Sequence, residues 1–168
     1  LYRVDISTGE MTRLTHRVGM YGQPEFNHAQ TRAAVSFASW TEPRELCLVD
    51  FEGKQQDRVL TQSHRKEFAK VNRLTPTLFR YPNRRGQTIH GFMFLPPGWK
   101  KSDRRPLMIY VYGGPLGSGK SVEDGSFNTT AYWFNMYLSY ALGYVTVTID
   151  PRGQSGYGAE FGKANWEA

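Results

Sequence analysis

The apolar residues of the first 61 positions come in short runs separated by polar turns, a pattern typical of short β-strands. One unit occurs twice, since LYRVDISTGEMTRLT at 1–15 resembles LCLVDFEGKQQDRVLT at 46–61. The opening Leu, Val and Asp of each copy match at a spacing of 45, and each copy predicts strand, turn and strand. The segment RAAVSFASW at 32–40 predicts a strand between them. A period of about 45 residues is typical of β-propeller blades, although a plain antiparallel sheet has the same local pattern.

After residue 73 the pattern changes to longer elements. The preceding segment, QSHRKEFAKVNR at 62–73, is polar and charged and predicts a linker. The segment LFRYPNRRGQTIHGFMFLPPGW at 78–99 predicts two strands around a Pro-Asn-Arg-Arg-Gly turn. The continuous apolar run LMIYVY at 107–112 predicts a strand that is buried on both faces of a largely parallel sheet.

The segment TTAYWFNMYLSYAL at 129–142 predicts a helix. Its apolar side chains repeat at the helical period and are expected to pack into the core: Phe134, Tyr137, Leu138, Ala141 and Leu142. Gly143 stands where a helix ends in the left-handed conformation. The apolar segment 144–150 predicts the next strand, so strand, helix and strand together predict a crossover unit of an α/β sheet. A further helix is predicted to begin near Tyr157.

Composition narrows the function. The chain has 168 residues, of which 39% are hydrophobic, and its net charge of +6 is spread along its length. The densest basic groups lie in predicted turns without interleaved aromatic residues, so we expect no nucleic-acid partner. The single cysteine, Cys47, excludes an internal disulfide and a cysteine-cluster metal site. No segment approaches the roughly 20 apolar residues of a membrane span. Both ends of the chain look truncated, so we expect a piece of a longer protein. Its cellular compartment is left open.

Residues 114–121, GPLGSGKS, match the phosphate-binding loop pattern G-x-x-x-x-G-K-[ST]. In a nucleotide-binding protein, Lys120 and Ser121 of this motif would contact the phosphates. Such a loop needs a helix that begins at the Gly-Lys-Ser, because the free N–H groups of the helix hold the anion. Here the predicted helix begins only near residue 129, and two carboxylates follow the motif directly. Nucleotide binding is therefore the alternative hypothesis.

Three segments together carry a more specific pattern: YVYGGP at 110–115, NTTAYWFNMYLSYALGY at 128–144 and VTIDPRGQSGYGAEF at 147–161. In this order and spacing they resemble the prolyl oligopeptidase family of serine peptidases, and the Val-Tyr-Gly-Gly-Pro form resembles its dipeptidyl peptidase IV branch. The resemblance implies that residues 1–73 are the last blade or blades of a β-propeller plus a linker. It also implies that residues 74–168 are the N-terminal portion of an α/β-hydrolase domain.

Tyr112 is the catalytic residue that the resemblance implies for this chain. Peptide hydrolysis produces an oxyanion that needs hydrogen-bond donors aimed at it, and in this family the phenol corresponding to Tyr112 is one of them. Gly113 and Gly114 would let the loop turn sharply beside the site. Asp150 and Arg152 are expected to support the turn after the next strand through charge-assisted hydrogen bonds.

The resemblance implies a Ser-Asp-His triad, but the nucleophile is not expected among these residues. No G-x-S-x-G occurs, and GQSGYG at 153–158 has Tyr157 where the last glycine of that motif would stand. We expect the triad beyond residue 168, so this chain alone is expected to be inactive. The implied partner is a short peptide substrate, with release of N-terminal dipeptides after proline or alanine resting on the family alone. No metal and no other cofactor is expected, and a homodimer of the parent stays open. A second alternative is a catalytically inactive relative with the same two domains.

Overall fold

The computed structural model describes residues 1–110, 112 and 130–164. Most of the glycine-rich segment therefore lies outside the described residues. This includes the phosphate-loop motif at 114–121 and the predicted site glycines Gly113 and Gly114.

The chain divides into two compact units, residues 1–71 and 72–168. The division falls inside the polar segment 62–73, which composition predicts to be a linker. That segment also contains a short 3-10 helix, Lys66–Lys70, which the sequence pattern does not predict.

Short antiparallel strands build the first unit. Their bounds are β1 Tyr2–Val4, β2 Met11–Arg13, β3 Met20–Tyr21, β4 Glu25–Phe26, β5 Arg32–Ala38, β6 Glu45–Asp50 and β7 Arg58–Val59. Strands β1 and β2 form a two-stranded hairpin. A second sheet has the order β3-β5-β6-β7, and β4 also pairs with β5. The predicted strands are confirmed, and their antiparallel pairing agrees with both a propeller blade and a plain sheet.

The sequence repeat is also a structural repeat. In the first copy the N–H of Leu14 donates to the carbonyl of Leu1 at 3.0 Å, and in the second copy Leu60 donates to Leu46 at 2.7 Å. The backbone nitrogen of Leu1 also donates to the Thr15 hydroxyl at 2.5 Å, and that of Leu46 donates to the Thr61 hydroxyl at 2.9 Å. In each turn, an aspartate side chain accepts a hydrogen bond from the N–H two residues later: Asp5 from Ser7 at 2.8 Å and Asp50 from Glu52 at 2.9 Å. Matching residues therefore produce the same hairpin twice.

Alternate positions of β5 and β6 form the core of the first unit, as strand geometry requires. A cluster of buried side chains makes up this core: Leu14, Ala33, Val35, Phe37, Cys47 and Val49. Leu14 is only 5% exposed, whereas Leu60, at the same position of the second repeat copy, is 48% exposed. The repeat thus fixes the backbone of each hairpin, and the neighbouring elements decide whether its leucine is buried.

We expect Leu14→Ala to lower the free energy of unfolding of the first unit by about 2–5 kcal/mol, because the truncation leaves a cavity in the core. Leu60→Ala is the matched control and should cost less than about 1 kcal/mol, since this side chain is half-exposed. Urea denaturation of both variants measures the difference. Equal losses would contradict the assignment of the core.

The carboxylate of Glu45, the first residue of β6, is the centre of a polar cluster. It accepts hydrogen bonds from the Thr61 hydroxyl at 2.6 Å and from the Ser63 N–H at 2.7 Å, and it lies 3.1 Å from Nδ1 of His64. Burial raises the pKa of Glu45, but the hydrogen bonds from Thr61, His64 and Ser63 outweigh it and lower the pKa to about 2. The Ser63 hydroxyl donates to the carboxylate and not to the imidazole, so the cluster lacks the order of a catalytic triad.

This cluster makes the stability of the first unit depend on pH. The folded-state pKa of Glu45 lies below its ordinary value of 4.5, so the ionised carboxylate stabilises the fold above that value. The contribution is lost as the pH falls from about 5 to about 2. We expect Glu45→Gln to flatten the fall in unfolding free energy over this range, as measured by urea denaturation at each pH.

Glu52→Gln is the control for this experiment, because Glu52 pairs with Lys54 at 3.0 Å on the surface. This variant should keep the parental pH profile. If the Glu45→Gln profile also stays parallel to that of the parent, Glu45 does not have a lowered pKa in the folded state.

The second unit contains a mixed sheet with one helix between two of its strands. The bounds are β8 Thr77–Pro82, β9 Thr88–Phe94, β10 Leu107–Tyr110, α1 Thr130–Leu142, β11 Val145–Asp150 and α2 Ala159–Lys163. The strand order is β10-β11-β9-β8. Strands β10 and β11 are parallel, which confirms the predicted crossover through α1, whereas β9 is antiparallel to both β11 and β8. The prediction of a largely parallel sheet is therefore wrong for the described strands.

The prediction that the run 107–112 is buried on both faces is also wrong. The four residues of β10 are 38% to 58% exposed. The reason is position, because β10 lies at the end of the described strand order and has β11 as its partner there. An apolar run indicates a strand, but it does not say whether a neighbour covers both faces.

Helix α1 forms where the sequence predicts it, but a different face packs against the sheet. Phe134, Tyr137 and Leu142 of the predicted core stripe are each more than half exposed, and Ala141 is exposed too. Leu138 is buried as predicted. The other buried residues of the helix are Tyr132, Asn135, Met136 and Ser139.

Hydrogen bonds to β11 and to Tyr144, the residue before it, explain which face of α1 is buried. The Asn135 amide donates to Oγ1 of Thr148 at 3.3 Å, and the Thr146 hydroxyl donates to the carbonyl of Asn135 at 3.2 Å. The Ser139 hydroxyl donates to the carbonyl of Tyr144 at 2.7 Å. These polar groups are buried, and burial is tolerable only because they bond to one another. A hydrophobic pattern alone does not identify a helix face of this kind.

Candidate active site

Tyr112 and Asp150 meet at the edge of the sheet where the two parallel strands end. Tyr112 follows β10 by two residues, and Asp150 is the last residue of β11. The pairing of the two strands has an offset of 38 residues, from Leu107 opposite Val145 onward, and the same offset separates Tyr112 from Asp150. The Tyr112 hydroxyl donates a hydrogen bond to Oδ1 of Asp150. Carboxyl ends of parallel strands are the usual place for active sites in α/β sheets.

The Asp150 carboxylate is fully buried and is held by a second phenol. The Tyr157 hydroxyl donates to its other oxygen, Oδ2, at 2.5 Å. The Tyr157 ring stacks on His90, with ring centroids 4.6 Å apart, and His90 is the β9 residue paired with Asp150. The Tyr157 ring also meets the ring of Phe161 in α2 edge to face, with centroids 5.1 Å apart. A buried carboxylate requires donors of this kind, because hydrogen bonds to a charged group offset its loss of hydration.

Backbone hydrogen bonds hold the turn after β11, from Gln154 to the carbonyl of Pro151 at 3.3 Å and from Gly153 to the carbonyl of Phe161 at 3.1 Å. The support of this turn by Arg152 stays a prediction.

Three glycines shape this turn with left-handed backbone angles. Gly153, Gly156 and Gly158 have φ of 95°, 94° and 91°. Side chains with a Cβ rarely adopt such angles, so the turn depends on glycine. The segment thereby reverses direction within a few residues and brings Tyr157 back over Asp150.

Sequence reasoning missed the role of Tyr157 and the contact of His90. The sequence pattern presents Tyr157 only as the residue that interrupts a nucleophile motif, and it indicates no role for His90. The available signal was the run of glycines between Asp150 and Tyr157, since a segment that turns this sharply returns its next side chain to the strand end.

The chain is similar to peptidases of known name, although no family model matches it. It is 25% identical to Dipeptidyl-peptidase 4 of Giardia intestinalis over 99% of this chain and 24% of that protein. It is 24% identical to a Probable dipeptidyl-aminopeptidase B of Aspergillus clavatus over 91% of this chain and 16% of that protein.

A solved structure has a similar fold. It is an acylaminoacyl peptidase in complex with Z-Gly-Gly-Phe-chloromethyl ketone, with a TM-score of 0.67 and 25% identity over 92% of this chain and 22% of that chain. The comparisons confirm the resemblance to the prolyl oligopeptidase family. Both kinds of relative belong to that family, and its dipeptidyl peptidase branch fits the curated relatives. The nucleotide-binding hypothesis has no support among them.

The described residues include a candidate hydrogen-bond donor, Tyr112, and no G-x-S-x-G motif. Tyr112 presents a phenolic O–H next to a fixed carboxylate. In the described part of the chain, no serine hydroxyl is hydrogen-bonded to a histidine. Among those residues, no cluster of His, Cys, Asp and Glu could hold a metal ion. No helix in the described ranges is long and apolar enough to cross a membrane.

We expect Tyr157→Phe to lower the free energy of unfolding of the second unit by about 1–3 kcal/mol, because a buried carboxylate loses a hydrogen bond while the ring that stacks on His90 remains. Tyr81→Phe is the control and should change stability by less than about 0.5 kcal/mol, since Tyr81 is 42% exposed. Urea denaturation followed by circular dichroism compares the two. Equal stabilities would show that the Tyr157 hydroxyl does not support Asp150.

Proposed function

We propose that the protein containing this chain is a serine peptidase in which Tyr112 donates a hydrogen bond to the oxyanion of the reaction. The observation that supports this most directly is the position of Tyr112. It lies at the carboxyl end of a parallel strand, and its hydroxyl is oriented by a buried carboxylate. The names of the relatives, which are dipeptidyl and acylaminoacyl peptidases, agree with this role.

The proposed chemistry divides between this chain and residues outside it. A serine hydroxyl attacks the carbonyl carbon of the scissile peptide bond, while a histidine takes the serine proton and passes it to the leaving amine. The carbonyl oxygen becomes an oxyanion, and the neutral phenol of Tyr112 donates its O–H to that oxygen. One such donor contributes roughly 10²–10³ in kcat. The 168 residues contain no G-x-S-x-G, so we propose that this chain alone is inactive.

We further propose that residues 1–73 are the last part of a β-propeller with its linker and that residues 74–168 begin an α/β-hydrolase domain. The two hydrogen-bonded hairpins of the repeat support the first assignment, because they lie in different sheets, as hairpins of successive blades would. The parallel β10–α1–β11 crossover supports the second.

The proposed substrates are short peptides. The Giardia intestinalis and Aspergillus clavatus relatives are a dipeptidyl-peptidase and a probable dipeptidyl-aminopeptidase by name, so the proposed activity is release of N-terminal dipeptides. Proline or alanine before the scissile bond is what the resemblance to the prolyl oligopeptidase family implies. The chain spans only 24% and 16% of these two relatives, so the groups that recognise a substrate would belong to other parts of the protein.

The test of this function uses the natural-length protein and a dipeptidyl p-nitroanilide with proline in its second position. We expect Tyr112→Phe to lower kcat by about 10²–10³ with little change in KM, because the donor acts on the transition state more than on the bound substrate. Release of nitroaniline measures both constants.

Tyr110→Phe is the matched control. Its ring stacks on that of Tyr112, with centroids 6.0 Å apart, and the substitution removes a hydroxyl from the neighbouring phenol without changing the ring. This control should retain parental kcat within about twofold. An unchanged kcat in Tyr112→Phe would exclude the oxyanion role, and a parent gene without G-x-S-x-G after this segment would exclude the peptidase activity.

A further inference from the structure

The Tyr112 phenol needs something other than the sheet to hold it in place. It lies two residues beyond the end of β10, outside the hydrogen-bonded ladder. Its hydroxyl donates a hydrogen bond to Asp150, and its ring stacks on that of Tyr110. An oxyanion donor must be placed within a few tenths of an ångström of its working position before the reaction begins, so these contacts bear directly on catalysis.

The Asp150 carboxylate is a rigid point of attachment for this phenol. It is fully buried at the end of β11, and β11 is paired on both sides, with β10 and with β9. The hydroxyl of Tyr157 donates to one carboxylate oxygen, and the Tyr157 ring contacts the rings of His90 and Phe161. The other oxygen accepts the hydroxyl of Tyr112.

We propose that Asp150 is a positioning residue of the oxyanion site, which holds the Tyr112 phenol in the resting enzyme with the help of Tyr157. This inference rests on the proposed peptidase function. The Tyr112 hydroxyl has one hydrogen, so it cannot donate to Asp150 and to the oxyanion at once. When the oxyanion forms, the O–H turns about its own C–O bond while the ring stays in place. Tyr157 continues to donate to Asp150, so the buried carboxylate keeps a partner during this step.

A purely structural role for Asp150 is the competing explanation. A buried carboxylate that ties a turn to a strand would also be damaged by substitution, but its loss would affect the whole domain. Positioning makes a sharper prediction, since Asp150 then acts on the reaction only through Tyr112. The effect of changing Asp150 should therefore depend on whether the Tyr112 hydroxyl is present.

The test is a double-mutant cycle in the natural-length protein, with the same p-nitroanilide substrate. We expect Asp150→Asn to lower kcat about tenfold with KM nearly unchanged, and to have almost no further effect in a Tyr112→Phe background. Tyr157→Phe should behave in the same way with a smaller loss, and it serves if the Asp150 variant does not fold. Asp103→Asn, which changes a surface carboxylate paired with Arg105, is the control and should leave both constants unchanged.

A spectroscopic measurement tests the contact independently of activity. With 3-fluorotyrosine in place of Tyr112, Asp150→Asn should shift the ¹⁹F resonance, whereas Asp103→Asn should not. An unshifted resonance overturns the proposal, as does a rise in kcat or a loss that is equally large in the Tyr112→Phe background.

The outcomes also separate this inference from the proposed function. If the parent protein hydrolyses the substrate and Tyr112→Phe is impaired, but Asp150→Asn loses activity additively, the peptidase function stands and the positioning role is excluded. If the parent protein with an intact serine hydrolyses no such substrate, the peptidase function and the positioning role are both excluded, whether or not the ¹⁹F resonance shifts.

Discussion

The parallel pairing of β10 with β11 is the constraint on which the candidate site depends. Its offset of 38 residues sets Tyr110 opposite Thr148, and it matches the separation of Tyr112 from Asp150 two residues later. Side chains two residues apart on a strand share a face, so the same pairing that aligns the strands also aligns the phenol with the carboxylate. A shift of one residue would send these side chains to opposite faces and remove the contact.

Polar contacts hold this pairing together where hydrophobic packing alone would leave it loose. Helix α1 connects the two parallel strands, and its buried face includes Asn135 and Ser139, which bond to β11 and to the residue before it. At the end of β11, the buried Asp150 joins two aromatic side chains from different segments. Hydrogen bonds need specific partners at specific distances, so they fix one register and one helix face.

Local features of the fold could be predicted because they depend on residues close together in the chain. The two copies of the repeat predict two hairpins, since each carries its own aspartate, turn and leucine-threonine pair. Gly143 ends α1 with φ of 72°, as a left-handed stop requires.

The candidate site could be predicted only in part. The resemblance implies the oxyanion role of Tyr112, whereas the sequence pattern predicts that Asp150 supports a turn together with Arg152. Its partners among the described residues include two phenols, and that of Tyr157, seven positions away in sequence, reaches Asp150 only because the glycine turn brings the segment back.

The sequence by itself determined where the hairpins of the repeat, the longer strands and helix α1 lie, together with the chemical types of residue that end these strands. These depend on backbone angles and on side-chain periodicity, which neighbouring residues set. The tertiary structure decided which faces are buried. It left β10 at the end of the described sheet, turned Phe134 and Tyr137 outward and buried Leu14 but not Leu60. Burial is a property of what lies opposite a side chain, and in this chain that is set by pairings between residues dozens of positions apart. The contact between Tyr112 and Asp150 is of the same kind, because it exists only once two strands have aligned.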